Sequence, residues 1–173
     1  MLVDWRSFSP GSTYTSDLVE KTTALLHEAY AQHLANGFHF SAATQDDETT
    51  HKRLASATAL IGFREDAVVA TGIIYEKLQA RPDLPSWFSG ADVGVAAQLA
   101  VSPGLQRHGI GSELLEILER QAKGWGKLHL ALDTAEPAHE LIAFYQKRGY
   151  VMVDHFQYAD TSFRHIILSK ELT

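Results

Sequence analysis

The run Leu99-Ala100-Val101-Ser102-Pro103-Gly104-Leu105-Gln106-Arg107-His108-Gly109-Ile110-Gly111-Ser112 constrains the chain more than any other, because it joins a strand-like segment directly to a helical one. Upstream, Val93, Val95, Ala97, Leu99 and Val101 alternate with mostly small residues, which predicts a strand over Asp92 to Val101 with those five side chains on one face. Downstream, Ile110, Leu114, Leu115, Leu118 and Ala122 repeat as one helical stripe, and Gly124 marks the stop. Glycines at 109 and 111 leave the backbone bare where a helix start presents unpaired N–H groups and the positive end of its dipole, so an anion fits there. Arg107 adds a formal positive charge and Ser112 a hydroxyl. The alternative is that the two glycines only permit a tight turn.

Two common phosphate motifs fail letter by letter. Gly104 and Gly109 have the P-loop spacing, but Ile110-Gly111 stands where Lys-Ser/Thr would hold phosphate and magnesium. Gly109-Ile110-Gly111 could open a dinucleotide fingerprint, yet its third glycine would fall on Leu114.

The remaining elements follow from period and punctuation. Asp17 to Leu34 reads as a helix capped by Ser16 or Asp17, and Asp46 to Ala57 as a second. Thr58 to Arg64 and Val68 to Leu78 read as a hairpin turning at Glu65-Asp66. Arg81 to Gly90 is a loop carrying Trp87-Phe88. A strand over Leu128 to Leu132 precedes a helix from Pro137 to Arg148, with Pro in its first turn and Gly149 at its end, and Val151 to Gln157 and Phe163 to Leu168 are strands. The order β-α-α-β-β-β-α-β-α-β-β implies a mixed sheet with helices on its faces.

Composition removes several function classes. At 173 residues with 45% hydrophobic content the chain suits one domain over 1–173 with one buried core. Fifteen Lys and Arg against 21 Asp and Glu give a formal charge of -6, so no global field draws it to nucleic acid or an anionic membrane. It holds no cysteine, and its nine histidines form no H-E-x-x-H pair, so neither a thiol nucleophile nor a metal site is expected. No apolar run nears the roughly 18 residues that span a bilayer, and no signal-peptide pattern opens the chain, which makes the cytoplasm the expected location.

What the loop does match is the pattern Gln/Arg-x-x-Gly-x-Gly/Ala, as Gln106-x-x-Gly109-x-Gly111 after a Leu-Ala-Val strand end. With the later block Leu132-Asp133-Thr134 leading to Phe144-Tyr145-Gln146-Lys147-Arg148-Gly149-Tyr150, the chain resembles the GNAT (acetyltransferase) superfamily. The second block departs from the family's usual form at Ala138, where Asn is common, and at Leu141, where Ala is common. The resemblance implies an α+β fold with a mainly antiparallel sheet of six to seven strands, about four helices and a splayed central strand pair. It implies acetyl-CoA as co-substrate, with no metal. Coenzyme A would be held by Leu99, Ala100 and Val101 through their backbone and by Gln106, Arg107, His108, Gly109, Ile110, Gly111 and Ser112 at the helix start. Tyr145 falls on the tyrosine that often protonates the departing thiolate.

By the same resemblance Phe38, His39, Phe40, Trp87 and Tyr158 are candidates for the acceptor pocket. The acceptor itself would be a primary amine, of a small molecule or else of a protein or peptide. Members often carry a glutamate on the strand that here reads Ala96, Ala97 and Gln98, so the proton must leave by a water relay, His39 or Asp133. A coenzyme A-binding module without transfer activity is the competing class. The chain would act as a monomer or homodimer.

Overall fold

The computed structural model describes residues 2–173. The elements are β1 (Asp4–Phe8), α1 (Ser16–Ala35), α2 (Asp47–Ser56), β2 (Thr58–Arg64), β3 (Ala67–Tyr75), β4 (Val93–Val101), α3 (Ile110–Gly124), β5 (His129–Ala135), α4 (His139–Gln146), β6 (Val151–Phe156) and β7 (His165–Glu171). The strands form one seven-stranded mixed sheet in the order β1-β2-β3-β4-β5-β7-β6, the architecture that the resemblance implies. Two compact units share these elements: the described residues up to Ile74 with Gln98–Glu116, and Tyr75–Ala97 with Ile117–Thr173.

In the first unit β1, β2 and β3 form an antiparallel meander, with Asp4 opposite Phe63 and Thr58 opposite Ile74. The hairpin turns at Glu65 and Asp66 as the pattern predicts, with Glu65 left-handed at φ 54. A Cβ on Gly62 of β2 would lie 2.7 Å from Val3 Cγ1 and 2.8 Å from Trp5 Cζ3, so glycine leaves the room that these two side chains occupy. Helix α1 is capped by Thr15, whose hydroxyl accepts from the Leu18 N–H at 3.3 Å, while the expected caps Ser16 and Asp17 lie inside its first turn. Leu25 and Leu26 of α1 bury against Ala42 and Ala100. The helix closes with Gly37 at φ 85, whose N–H reaches Leu34 O, followed by Phe38 N–H to His33 O at 2.8 Å. This left-handed glycine cap directs the chain into Phe38-His39-Phe40. The Thr23 hydroxyl of α1 meets that of Thr50 in α2 at 2.8 Å, and Gln45 Nε2 donates to the same oxygen, also at 2.8 Å.

In the second unit β4 begins parallel to β5, from Val93 opposite His129 to Val95 opposite Ala131. Strand β5 pairs antiparallel with β7, and β7 with β6, where the register shifts between Met152 and Asp154. Phe88, Val93, Val95, Ala131 and Ile167 form the core, with Trp87 and Leu78 packed on it. Leu78 thus leaves the hairpin expected to end with it, because β3 stops at Tyr75 and the side chain turns to this cluster. Strands β5 and β7 both run past their apolar stretches: Asp133 to Ala135 pair with Ile167 to His165, and Ser169 to Glu171 with Ala131 to His129. Backbone pairing carries polar residues into the ladder that hydrophobic period alone omits. Helix α4 starts at His139 and not at Pro137, which sits in the preceding turn. Tyr150 Oη donates to Glu119 Oε1 at 3.1 Å and Lys170 Nζ to Glu119 Oε2 at 2.8 Å, tying α3 to β7. The Tyr150 hydroxyl is pushed far above its usual range by burial and then by the Glu119 charge.

Leu26 is 1% exposed, so Leu26→Ala should lower the unfolding free energy by about 2 to 5 kcal/mol in a denaturant titration. At α2 the Asp46 carboxylate accepts the Thr49 N–H at 2.8 Å, and its bonds to Thr49 hold its pKa below the ordinary range. A lowered folded-state pKa stabilises above the unfolded value and ceases to do so as pH falls through the folded one. The Tm gap between wild type and Asp46→Ala is therefore expected to be full at neutral pH and to close in acid. An equal gap at both ends would show that the charge contributes nothing.

Candidate functional site

Strand β4 does not keep its alternation to the end. Gln98 is left-handed at φ 57, which marks a bulge inside the strand and moves the following side chains to new faces. Val93 and Val95 pack with Phe88, but Ala100 buries with Leu25 and Leu26, and Val101 lies against the cluster of Val3, Val69, Ala70 and Ile110. The single face predicted for all five odd-numbered residues is thus broken at Gln98. Just beyond it Leu99 O accepts the Tyr30 hydroxyl at 2.9 Å. Tyr30 is held edge-on by Phe40, with centroids 5.5 Å apart, and lies 5.7 Å from His33.

From Val101 the chain passes through a short turn, Pro103–Leu105, to the helix. Gln106 folds the loop back on the strand by donating its Nε2 to Val101 O at 3.1 Å. The His108 ring lies with Nδ1 2.8 Å from Gln106 O; a carbonyl only accepts, so Nδ1 carries the proton. Arg107 at φ 63 and Gly109 at φ 88 are both left-handed, a backbone that gathers N–H groups into an anion-binding concavity. A Cβ on Gly109 would meet no atom within 4 Å, so open space lies beside it. Ile110 anchors the helix start at 2% exposure, while Gln106 to Gly109 are exposed. Glu113 N–H bonds to Gly109 O at 3.0 Å, and the amides ahead of it stand at the positive end of α3.

Two surface grooves elsewhere in this unit do not include the loop. One of about 320 Å³ is lined by Glu20, Asp47 and Glu48 among others, the wrong sign for a polyanion. The other, of about 540 Å³, mixes Lys21 and Arg64 with Glu28, Glu65 and Asp66.

The predicted site residues therefore divide. Leu99 to Val101 and Gln106 to Ser112 form one continuous strand, loop and helix start in the first unit, where Phe40 also lies behind Tyr30. Phe38 is half-buried beside Phe40, and His39 is exposed. In the second unit Tyr145 is 8% exposed on α4, its ring 5.2 Å from Phe144 and 5.8 Å from Tyr150. Trp87 packs on the Phe88 core, its ring 5.9 Å from His129. Asp133 is committed to its own neighbours: Oδ2 lies 2.8 Å from His165 Nδ1, and the Tyr158 hydroxyl also bonds to it. Burial first, then the Asp133 charge, pushes the Tyr158 hydroxyl well above its usual range. Tyr30 and His165 escaped the sequence reading. The only signal for Tyr30 is its place one turn after Leu26 on the buried stripe of α1.

On this mixed sheet the kinked strand β4 leads directly into a helix start whose backbone N–H groups are not covered by side chains. The chain belongs to the Acetyltransferase (GNAT) family, whose sequence pattern it matches over residues 22–150. No curated protein matches its sequence. Among solved structures, a putative GNAT-family acetyltransferase from Desulfovibrio desulfuricans shares the fold with TM-score 0.71 at 14% identity, over 99% of this chain and 100% of that one. The ribosomal-protein-S18-alanine N-acetyltransferase from Escherichia coli aligns with TM-score 0.68 at 18% identity, over 98% and 95%. The PaiA N-acetyltransferase from Thermoplasma acidophilum, in complex with coenzyme A, aligns with TM-score 0.68 at 17% identity, over 99% of each chain.

Gly104 and Gly109 share one loop and equally open surroundings, and only Gly109 is left-handed. Gly109→Ala should thus lower the unfolding free energy by about 1 to 2 kcal/mol, while Gly104→Ala should leave it nearly unchanged. Equal effects in a denaturant titration would count against a conformational demand at 109.

Proposed function

We propose that this GNAT-family protein moves an acetyl group from acetyl-CoA to the primary amine of a small molecule by direct transfer, with both reactants bound at once. The observation that carries the reading is the loop from Gln106 to Gly111, where two left-handed residues, a guanidinium and a helix start form an exposed, positively polarised cradle. Those donors fit a pyrophosphate, with Arg107 to Ser112 as its holders. The backbone of Leu99 to Val101 would pair with the pantetheine arm, as an added strand pairs with a sheet edge.

Acetyl-CoA supplies an activated thioester. In the transfer the N–C bond forms, the C–S bond breaks, the amine gives up a proton and the sulfur gains one. Tyr145 is the residue read as giving that proton. Alkylamines titrate near a pKa of about 10, so a base must take the amine's proton. Ala96, Ala97 and Gln98 offer no carboxylate on β4, and a water chain takes that task. A formal charge of -6 mildly favours cationic acceptors, within a screening length of about 10 Å. A cytoplasmic setting suits the absence of cysteine.

The reading is tested first by thermal shift. Acetyl-CoA at a hundredfold excess over its Kd should add about 2.7 kcal/mol of stability, with ATP and NAD adding far less. No stabilisation by acetyl-CoA would sink it. Replacing Gly111 by Trp should abolish that shift while the unliganded protein stays folded. Thiol release measured across small amines and across peptides then separates the acceptor classes, with small amines expected to turn over. Tyr145→Phe should lower kcat by roughly a hundredfold with acetyl-CoA affinity kept; unchanged kinetics would remove Tyr145 from the reaction.

A further inference from the structure

Gln98 is a non-glycine residue at φ 57 in the interior of a strand. Such a conformation disfavours any residue with a Cβ and persists only where its surroundings hold it. Two sets of contacts are available to do so. Ala100, two residues on, is 5% exposed and packed among Leu25, Leu26 and Ala42, which fixes where the strand goes after the kink. Between kink and anchor, the Leu99 carbonyl accepts the Tyr30 hydroxyl at 2.9 Å. A peptide group is planar, so holding that carbonyl sets the plane of the whole Leu99–Ala100 unit and with it the backbone angles next to Gln98. The hydroxyl is itself restrained, because the Tyr30 ring stands at 71° to Phe40 and 59° to His33, at centroid distances of 5.5 and 5.7 Å.

We propose that Tyr30 is a positioning residue for acyl transfer: through the Leu99 carbonyl it holds the left-handed kink of β4, and so the peptide groups that orient the acyl chain. This rests on the reading of Leu99 to Val101 as the pantetheine-binding strand. Phe40 then serves as the brace of Tyr30 and not as an acceptor contact. The kink belongs to the tether as much as to the strand, since nothing in a glutamine favours it.

The test compares wild type, Tyr30→Phe and the double variant Tyr30→Phe/Gln98→Gly, in the full chain. Amide hydrogen exchange at Leu99 and Ala100 reads the kink, and steady-state kinetics with acetyl-CoA and an amine reads its use. Tyr30→Phe keeps the ring and loses one hydrogen bond, so exchange at these two amides should quicken and kcat should fall by about fivefold or more, with little change in the KM for acetyl-CoA. Exchange in α3 should not change. Glycine adopts the left-handed region without strain, so Gln98→Gly in the Tyr30→Phe background should restore most of the lost kcat. The proposal is overturned if Tyr30→Phe leaves exchange and kcat unchanged, or if kcat falls only as KM rises and glycine restores nothing. A wild type that releases no thiol with any amine overturns the functional reading and this proposal together, whereas active wild type with an indifferent Tyr30→Phe overturns this proposal alone.

Discussion

Strands β4 and β5 run parallel, and a parallel pair cannot be joined by a tight turn. The chain must leave the carboxyl end of β4 and return to the amino end of β5, and α3 is that return. A helix used this way begins within a few residues of a strand end, so its positive terminus and unpaired amides come to lie where β4 stops. The position of these amides at the end of β4 therefore follows from strand direction before any side chain is considered. Gln106, bonded to Val101 O, and the left-handed pair Arg107 and Gly109 then shape what the topology provides.

The features legible in the sequence were those that depend on period or on bare backbone. The stripe from Ile110 to Ala122 located α3, the β-branched runs located β2 to its residue bounds, and Gly109 and Gly111 marked the helix start. What escaped depends on partners far away in sequence. The Tyr30 to Leu99 bond spans 69 positions, and neither residue type announces it. Gln98 shows the limit most clearly, since glutamine has no preference for positive φ and the alternation of valines and alanines around it reads as an unbroken strand. The continuation of β7 through Ser169, Lys170 and Glu171 is of the same kind, because it exists only through its pairing with β5.

The second unit shows how a half-buried carboxylate on a sheet is enclosed by polar and aromatic neighbours. Asp133 and His165 lie on neighbouring strands and, with residues 133 and 135 opposite 167 and 165, on one face. The carboxylate is met by the imidazole and by the Tyr158 hydroxyl, while Phe163 stacks on the imidazole at 5.1 Å and 23°. Such a set is rigid because each member restricts another, which suits a wall more than a freely moving base.

The outermost strands bear on how the protein behaves in a crowded solution. β6 ends the sheet on one side with Val151 and Met152 61% and 53% exposed, and its register shifts immediately afterwards, between Met152 and Asp154. β1 ends it on the other, carrying the exposed Asp4 and Arg6 ion pair. An incoming extended chain would need a regular run of backbone partners at either border. The irregularity at Met152 and the charges on β1 deny it that run, so the sheet resists growing by strand addition even where apolar side chains are in the open.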